Sequence, residues 1–215
     1  MLQSAGSAFR WKAPAIDLAA TSKLKRALDL LGAAAGLFLL APLLVLVALL
    51  IRLDSPGPVL FRQRRTGRNG EIFTVYKFRT MRVLEDGPTI AHATRNDHRT
   101  TRLGQLLRRS SIDELPQLLN VLKGEMSLVG PRPHAVAHDE QYAALLANYR
   151  QRFRARPGIT GLAQVNGLRG EIVDLADMAE RVEADLEYIG CWSIGLDIEI
   201  LVRTLLLGPV HPKAY

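Results

Sequence analysis

With 215 residues, 48% of them hydrophobic, the chain has material for one core plus accessories, and it carries a net charge of +7. That balance points to polyanionic partners (nucleic acid, anionic lipid headgroups or phosphorylated small molecules), with a merely solvated basic surface as the bland reading. The single cysteine, Cys191, excludes an internal disulfide, and both four-cysteine and Cys/His zinc patterns are absent.

Residues 1–22 read as a loosely ordered arm. Leu30 to Ile51 is then a run of 22 residues without a charge, about 33 Å as a helix against about 30 Å of hydrocarbon. A signal peptide does not fit a run of this length followed by basic sequence. Nor does a soluble helix fit apolar residues around the whole circumference. Pro42 lies mid-run, where it lacks the N–H of the helical ladder and crowds the carbonyl of Phe38. Basic residues flank both ends: Arg10, Lys12, Lys23, Lys25 and Arg26 before, Arg52, Arg62, Arg64, Arg65 and Arg68 after. The positive-inside tendency therefore does not distinguish two sides. A re-entrant membrane helix over 23–52, broken near Pro42, satisfies both features, with a proline-kinked spanning helix as the alternative, and residues 53–215 are expected as a domain at the membrane surface.

Ser55-Pro56-Gly57-Pro58 stops any helix. The apolar runs Val59-Leu60-Phe61 and Ile72 to Tyr76 flank Gly67-Arg68-Asn69-Gly70, which predicts a β-hairpin. Alternation in the second strand puts Lys77 and Arg79 on one face, where they can aim at a single anion; two exposed strand-end charges fit the same pattern. Residues 83–100 are polar and irregular. A short helix is expected over Arg102–Arg109, and another through Leu115, Leu118, Leu119 and Leu122, stopped by Gly124. Val129-Gly130-Pro131-Arg132-Pro133 must be extended. Helices follow at about 136–153 and 172–189. His134 and His138, four apart, are read as surface histidines rather than metal ligands. The last apolar stretch, Ile194 to Leu207, contains Asp197, Glu199 and Arg203 and is too interrupted to span. It either lies in the membrane interface with Trp192 as anchor or packs on the core.

The most informative segment is Arg108-Arg109-Ser110-Ser111-Ile112-Asp113-Glu114-Leu115-Pro116. One reading is a capping box with Ser111 as N-cap and Glu114 three residues on. Pro116 opposes that register, because it then falls beyond the first turn. A start at Asp113 or later makes the missing N–H harmless and sets Asp113 at a helix N-terminus that favours an ionised carboxylate and phosphate oxygens. Asp113 and Glu114 then point in different directions and can do different work. Arg108 and Arg132, in the rigid Pro-Arg-Pro, can hold phosphate oxygens bidentately. On spacing alone both readings stand.

Several motifs occur in fixed order: Phe61-Arg62-Gln63, Tyr76-Lys77-Phe78-Arg79-Thr80-Met81, Ser111 to Gln117, Leu119-Asn120-Val121-Leu122-Lys123-Gly124, Val129 to Pro133, Pro157-Gly158-Ile159-Thr160-Gly161 and Asp185-Leu186-Glu187-Tyr188. From about Lys25 to Tyr215 the chain resembles the bacterial sugar transferases, the monotopic phosphoglycosyl transferases. The resemblance implies an α+β, mainly helical monotopic membrane protein with a re-entrant helix, a small hairpin and interfacial helices. It implies transfer of a sugar 1-phosphate from a UDP-sugar to polyprenyl (undecaprenyl) phosphate through a covalent aspartyl-phosphosugar intermediate, with release of UMP, as the first membrane step of exopolysaccharide or other glycan synthesis. It also implies Asp113 as nucleophile and ligand of an assisting Mg²⁺, Glu114 as its partner, and Lys77, Arg79, Arg108 and Arg132 on substrate phosphates. Membrane lipids are the implied surroundings, in the bacterial inner membrane with the catalytic domain facing the cytoplasm.

One departure is Ala41-Pro42, where many relatives have Ser-Pro: a serine hydroxyl can bond a carbonyl freed by the break, and Ala41 cannot. Larger relatives carry spanning helices before this unit, whereas here a short arm precedes it, so the expected form is the minimal one with both termini in the cytoplasm. A membrane-tethered nucleic-acid-binding protein explains the charge but not the Asp-Glu pair or the shortage of aromatic residues for base stacking, so no nucleic acid is expected. A catalytically silent scaffold is disfavoured by the acidic pair. The sequence leaves open the sugar and the oligomeric state, a homodimer included.

Overall fold

Ser22 starts the dominant element: its side chain accepts a hydrogen bond from the Lys25 N–H, satisfying one of the free donors of a helix start. The computed structural model describes residues 18–82, 97–170 and 172–207. Most of the expected arm and of the polar stretch 83–100 lies outside them. A short α1 (Leu18–Thr21) precedes α2 (Lys23–Asp54), an α-helix of 32 residues, about 48 Å long.

The expected break near Pro42 is not there. α2 runs through Pro42 as one helix. The reason is tertiary: one stripe of the helix is held along its length, with Ala33 and Leu37 packed among Phe73, Val75, Leu118, Val121 and Met126. Past the proline, Leu43, Leu44, Val47 and Ile51 pack against Phe78 and Leu107. Both halves rest on the same domain, and that contact offsets the hydrogen bond lost at Pro42. The opposite stripe faces outward, with Leu31, Phe38, Leu39, Leu46 and Leu53 exposed. A helix this apolar on its free face marks a membrane protein.

Strands β1 (Leu60–Thr66) and β2 (Ile72–Phe78) form the expected antiparallel hairpin, in register from Leu60 opposite Phe78 to Thr66 opposite Ile72. Asn69 and Gly70 both take positive φ in its turn, which glycine's missing Cβ and asparagine's short polar side chain permit at little cost. After α3 (Arg102–Arg109) comes a 3₁₀ segment, Ile112–Gln117, leading directly into α4 (Leu118–Lys123), which ends on Gly124 at φ 89°. Asn120 is fully buried: its side chain accepts from the Tyr76 N–H and donates to the Thr74 carbonyl, so α4 is stitched to the free edge of β2.

Extended chain through 129–133 is as expected, but it is also paired. β3 (Ser127–Val129) runs parallel to β4 (Gly158–Thr160). A Cβ on Gly158 would come within 2.1 Å of the Gly130 nitrogen, so the close approach of these backbones requires glycine. The helix expected over 136–153 is interrupted. α5 (Val136–Leu145) ends where Leu146 becomes extended, and Tyr149–Arg154 forms a separate 3₁₀ turn. Burial of Tyr149, whose hydroxyl donates to Asp139, decides this path.

A short α6 (Leu162–Val165) precedes α7 (Leu175–Cys191), which begins with a capping box between Asp174 and Asp177. α8 (Ile194–Leu207) buries Ile200 in a core with Val129, Leu162 and Tyr188 and turns Ile198, Val202, Leu205 and Leu206 outward. Its inner side thus packs on the core. Trp192 is not a free anchor, because its indole N–H donates to Asp197. The architecture is the expected α+β one, mainly helical with a small hairpin.

Candidate active site

Ser111 adopts a left-handed backbone, φ 56° and ψ 16°, between α3 and the 3₁₀ segment. This conformation is uncommon for a residue with a side chain. It turns the chain sharply so that Ile112-Asp113-Glu114 leads off in a new direction. The capping box is not formed: Ser111 makes no side-chain cap bond. The regular helix begins at Leu118, within the expected range of Asp113 or later, and Pro116 sits in the 3₁₀ segment before it. With about three residues per 3₁₀ turn, Asp113 and Glu114 project about 120° apart.

Their surroundings differ accordingly. Glu114 is held from two sides. Lys77 Nζ donates to Oε1 at 2.8 Å, and the Arg132 guanidinium grips both oxygens, Nη2 to Oε1 at 2.6 Å and Nη1 to Oε2 at 3.1 Å. Burial alone would raise the pKa of Glu114, but the charges and hydrogen bonds of Arg132 and Lys77 outweigh it and hold that carboxyl well below the usual range. Burial likewise lowers the Lys77 pKa, with the Glu114 charge opposing.

Asp113 is also buried, yet it makes no hydrogen bond or direct ion pair with any described residue. Burial first, then the neighbouring Glu114 charge, raises its pKa to about 6, against the lowering charges of Lys77, Arg108 and Arg132. One carboxylate is therefore a fixed counter-ion and the other an uncommitted, unusually basic oxygen among cations.

The structure brings together Asp113, Glu114, Lys77, Arg108 and Arg132. It does not bring Arg79, which is a correction to the sequence reading. β2 ends at Phe78, so strand alternation does not govern Arg79. Arg79, 4% exposed, instead caps the C-terminus of α2, donating to Pro56 O at 2.8 Å, Ser55 O at 2.6 Å and Ile51 O at 3.4 Å. His134 is corrected too. It is buried, its Nδ1 lies 2.8 Å from the Tyr149 hydroxyl and 3.1 Å from Arg152 Nη1, and burial with the Arg152 charge keeps its pKa well below the usual value.

Sequence reasoning missed Arg169. It reaches from a loop flanked by Gly167 and Gly170, both at positive φ, to donate to Ser111 Oγ at 2.9 Å. Burial and the Arg132 charge lower its pKa while Glu114 and Asp113 raise it, so its charge lies within reach of the acidic pair. The only available signal was an arginine between two glycines, which has no periodicity to read.

A family model described as bacterial sugar transferase matches residues 20–208 of this chain. The chain belongs to the bacterial sugar transferase family. Among its curated relatives is the UDP-glucose:undecaprenyl-phosphate glucose-1-phosphate transferase of Caulobacter vibrioides, 56% identical over 181 residues, covering 84% of this chain and 68% of the relative. The protein of the same name from Escherichia coli K12 is 53% identical over 192 residues, 89% of this chain but 41% of the relative. The exopolysaccharide production protein PSS of Rhizobium leguminosarum bv. phaseoli is 51% identical over 196 residues, 89% of this chain and 98% of the relative. The chain thus spans nearly the whole of the Rhizobium exopolysaccharide production protein and about two-fifths of the Escherichia coli transferase.

A magnesium ion fits this transferase site in one way. Among the described residues no group of three or more His, Cys, Asp or Glu is placed to cage a metal. Mg²⁺ is commonly held by one or two carboxylates together with substrate phosphates. The uncommitted carboxylate of Asp113 is the donor that suits such a shared site.

Proposed function

We propose that this sugar transferase moves a sugar 1-phosphate from a UDP-sugar to polyprenyl phosphate through a covalent intermediate on Asp113. The observation that carries the reading is the division of labour within the acidic pair: Glu114 tied down by Lys77 and Arg132, Asp113 beside it with no hydrogen bond from a described residue. An Asp113 oxygen attacks the phosphorus that bears the sugar, the bond from that phosphorus to the bridging oxygen breaks, and UMP departs with the electron pair. A phosphate oxygen of the polyprenyl acceptor then attacks the same phosphorus, and Asp113 leaves as a free carboxylate. No proton need be gained or lost by the enzyme in either step. A pKa near 6 makes the oxygen more basic than an ordinary carboxylate, yet leaves it mostly ionised at neutral pH.

Approach of a carboxylate to a diphosphate demands positive charge. Lys77, Arg108, Arg132 and Arg169 supply it from β2, α3, the Pro-Arg-Pro arm and the Gly167-Leu168-Arg169-Gly170 loop. Asp113 would hold a Mg²⁺ ion, whose charge would screen the diphosphate when bound. Four relatives at 48–56% identity are named for transfer of glucose 1-phosphate from UDP-glucose, and one at 42% for UDP-N-acetylgalactosamine. UDP-glucose is therefore the donor we assign, with undecaprenyl phosphate as acceptor.

UMP release with UDP-glucose and polyprenyl phosphate tests the assignment, and its pH profile tests the site. Asp113 must be ionised to attack, so kcat/KM should be level above about pH 6 and fall about tenfold per pH unit below it. An acidic limb at the ordinary carboxylate value near 4 would contradict the buried Asp113.

Both ends of α2 rest on the same domain, Lys25 against Asp197 at one end and Ile51 against Phe78 at the other. This supports a helix lying within one leaflet, with both ends on the cytoplasmic face of the inner membrane. In a Cys191→Ser background, Thr21→Cys and Asp54→Cys should both be labelled by an impermeant reagent from the cytoplasmic side. Labelling from opposite sides would establish a simple span.

A further inference from the structure

Lys25 and Asp29 lie one turn apart on α2 and are 5% and 4% exposed, deep burial for two charged residues near the start of a membrane helix. Their partners are not on α2. Lys25 Nζ donates to the Val129 carbonyl at 3.1 Å and to Asp197 Oδ2 at 2.7 Å. Asp29 Oδ1 accepts from the Leu128 N–H and from Ser127 Oγ, both at 2.9 Å. All three residues of β3 are thus fastened to the membrane helix, and β3 runs straight into Gly130-Pro131-Arg132-Pro133.

The rest of that arm is fastened just as closely. Gly130 N donates to Thr160 O and Gly158 N to Pro131 O, both at 2.9 Å. Arg152, itself held by Asp185 at 2.8 Å, donates to the Arg132 carbonyl at 2.7 Å. Prolines on both sides of Arg132 fix two more backbone angles. A backbone pinned at each step has little freedom to adjust, so a shift of β3 is passed along the arm to the Arg132 guanidinium and its bidentate grip on Glu114. Misplacement of a positioning group by about 1 Å can cost about 100-fold in rate.

We infer that Lys25 and Asp29 are positioning residues for the reaction: from the membrane helix they set, through β3, the reach of Arg132 into the active site. The helix that meets lipid thereby also holds the register of the catalytic arm, and the site is complete only with α2 seated on the domain. This inference rests on the transferase reading above.

A double-mutant cycle on kcat/KM for UMP release, with full-length protein in lipid nanodiscs, tests it. Asp29→Ala, which removes both acceptor bonds, should lower kcat/KM by about tenfold or more in the parent and by less than about twofold in an Arg132→Ala background, because the arginine it positions is already gone. Asp29→Asn keeps an oxygen for Leu128 and Ser127 and should recover most of the loss. Lys25→Met gives a second, independent cycle with the same expected pattern should Asp29→Ala fold poorly. Equal losses in both backgrounds, or an Asn variant as impaired as the Ala variant, would overturn the inference and leave the transferase reading standing. Absence of UMP release from the parent with every UDP-sugar tried would sink the transferase reading itself.

Discussion

Replacing Asp113 by Asn should abolish UMP release, a loss of roughly 10⁴-fold or more as expected for removal of a nucleophile, and at neutral pH it should raise the melting temperature. The two effects share a cause. Burial and the Glu114 charge raise the pKa of Asp113 from 3.8 to about 6, so the fold disfavours the ionised carboxylate that the chemistry needs. Its folded pKa exceeds its unfolded one, so ionisation opposes folding above pH 6, and the opposition fades as pH falls from 6 towards 4. An Asn of the same shape carries no such charge. The stability gain should therefore be on the order of 2–3 kcal/mol at pH 7.5 and shrink to nothing near pH 4, as read by thermal melts across that range. An Asn variant that melts lower at neutral pH would mean that Asp113 is a structural anchor, contrary to its lack of hydrogen bonds among the described residues.

Replacing Glu114 by Gln acts in the opposite sense on stability. Glu114 holds two cations, with Lys77 leaving 17% of its side chain exposed and Arg132 36%. Loss of the shared counter-ion leaves those charges partly buried and opposed, which costs about 3 kcal/mol, the low end for a broken buried pair because Arg132 stays partly in solvent. Here the folded pKa lies below the unfolded one, so the contribution of Glu114 is present above its unfolded pKa near 4.5 and is lost as pH falls below it. Activity should fall on the order of 100-fold. The route is specific: Lys77 and Arg132, released from Glu114, turn to Asp113, while the Glu114 charge that raised its pKa is gone. The acidic limb of kcat/KM should move to lower pH as the rate drops. A limb that stays at 6 or rises would show that Glu114 is not what keeps Asp113 uncommitted.

Much of this was legible in the sequence wherever one element carries its own signal. The membrane helix showed in its 22 uncharged residues, the hairpin in Asn69-Gly70, and the acidic pair in the conflict between Pro116 and a capping box. What was not legible depends on contacts between distant segments. Alternation placed Arg79 beside Lys77, but alternation describes a strand, and β2 ends at Phe78. The helix from Val136 looked continuous until burial of Tyr149 set its end. Pro42 predicted a break from local hydrogen bonding, whereas packing of both halves of α2 on one domain kept it helical. Lys25 read as a flanking basic residue, and its partner Asp197 lies 172 positions away. Arg169 and His134 took their places from the fold alone, with no pattern around them to announce it.

Intact-mass spectrometry of the enzyme incubated with UDP-glucose and Mg²⁺, with no polyprenyl acceptor, tests the covalent scheme most directly. The expected result is one phosphohexose per chain, mapped to Asp113 by peptide analysis, lost again when polyprenyl phosphate is added and missing from the Asp113→Asn variant. UMP release that requires both substrates together, with no adduct on the chain at any time, would contradict it.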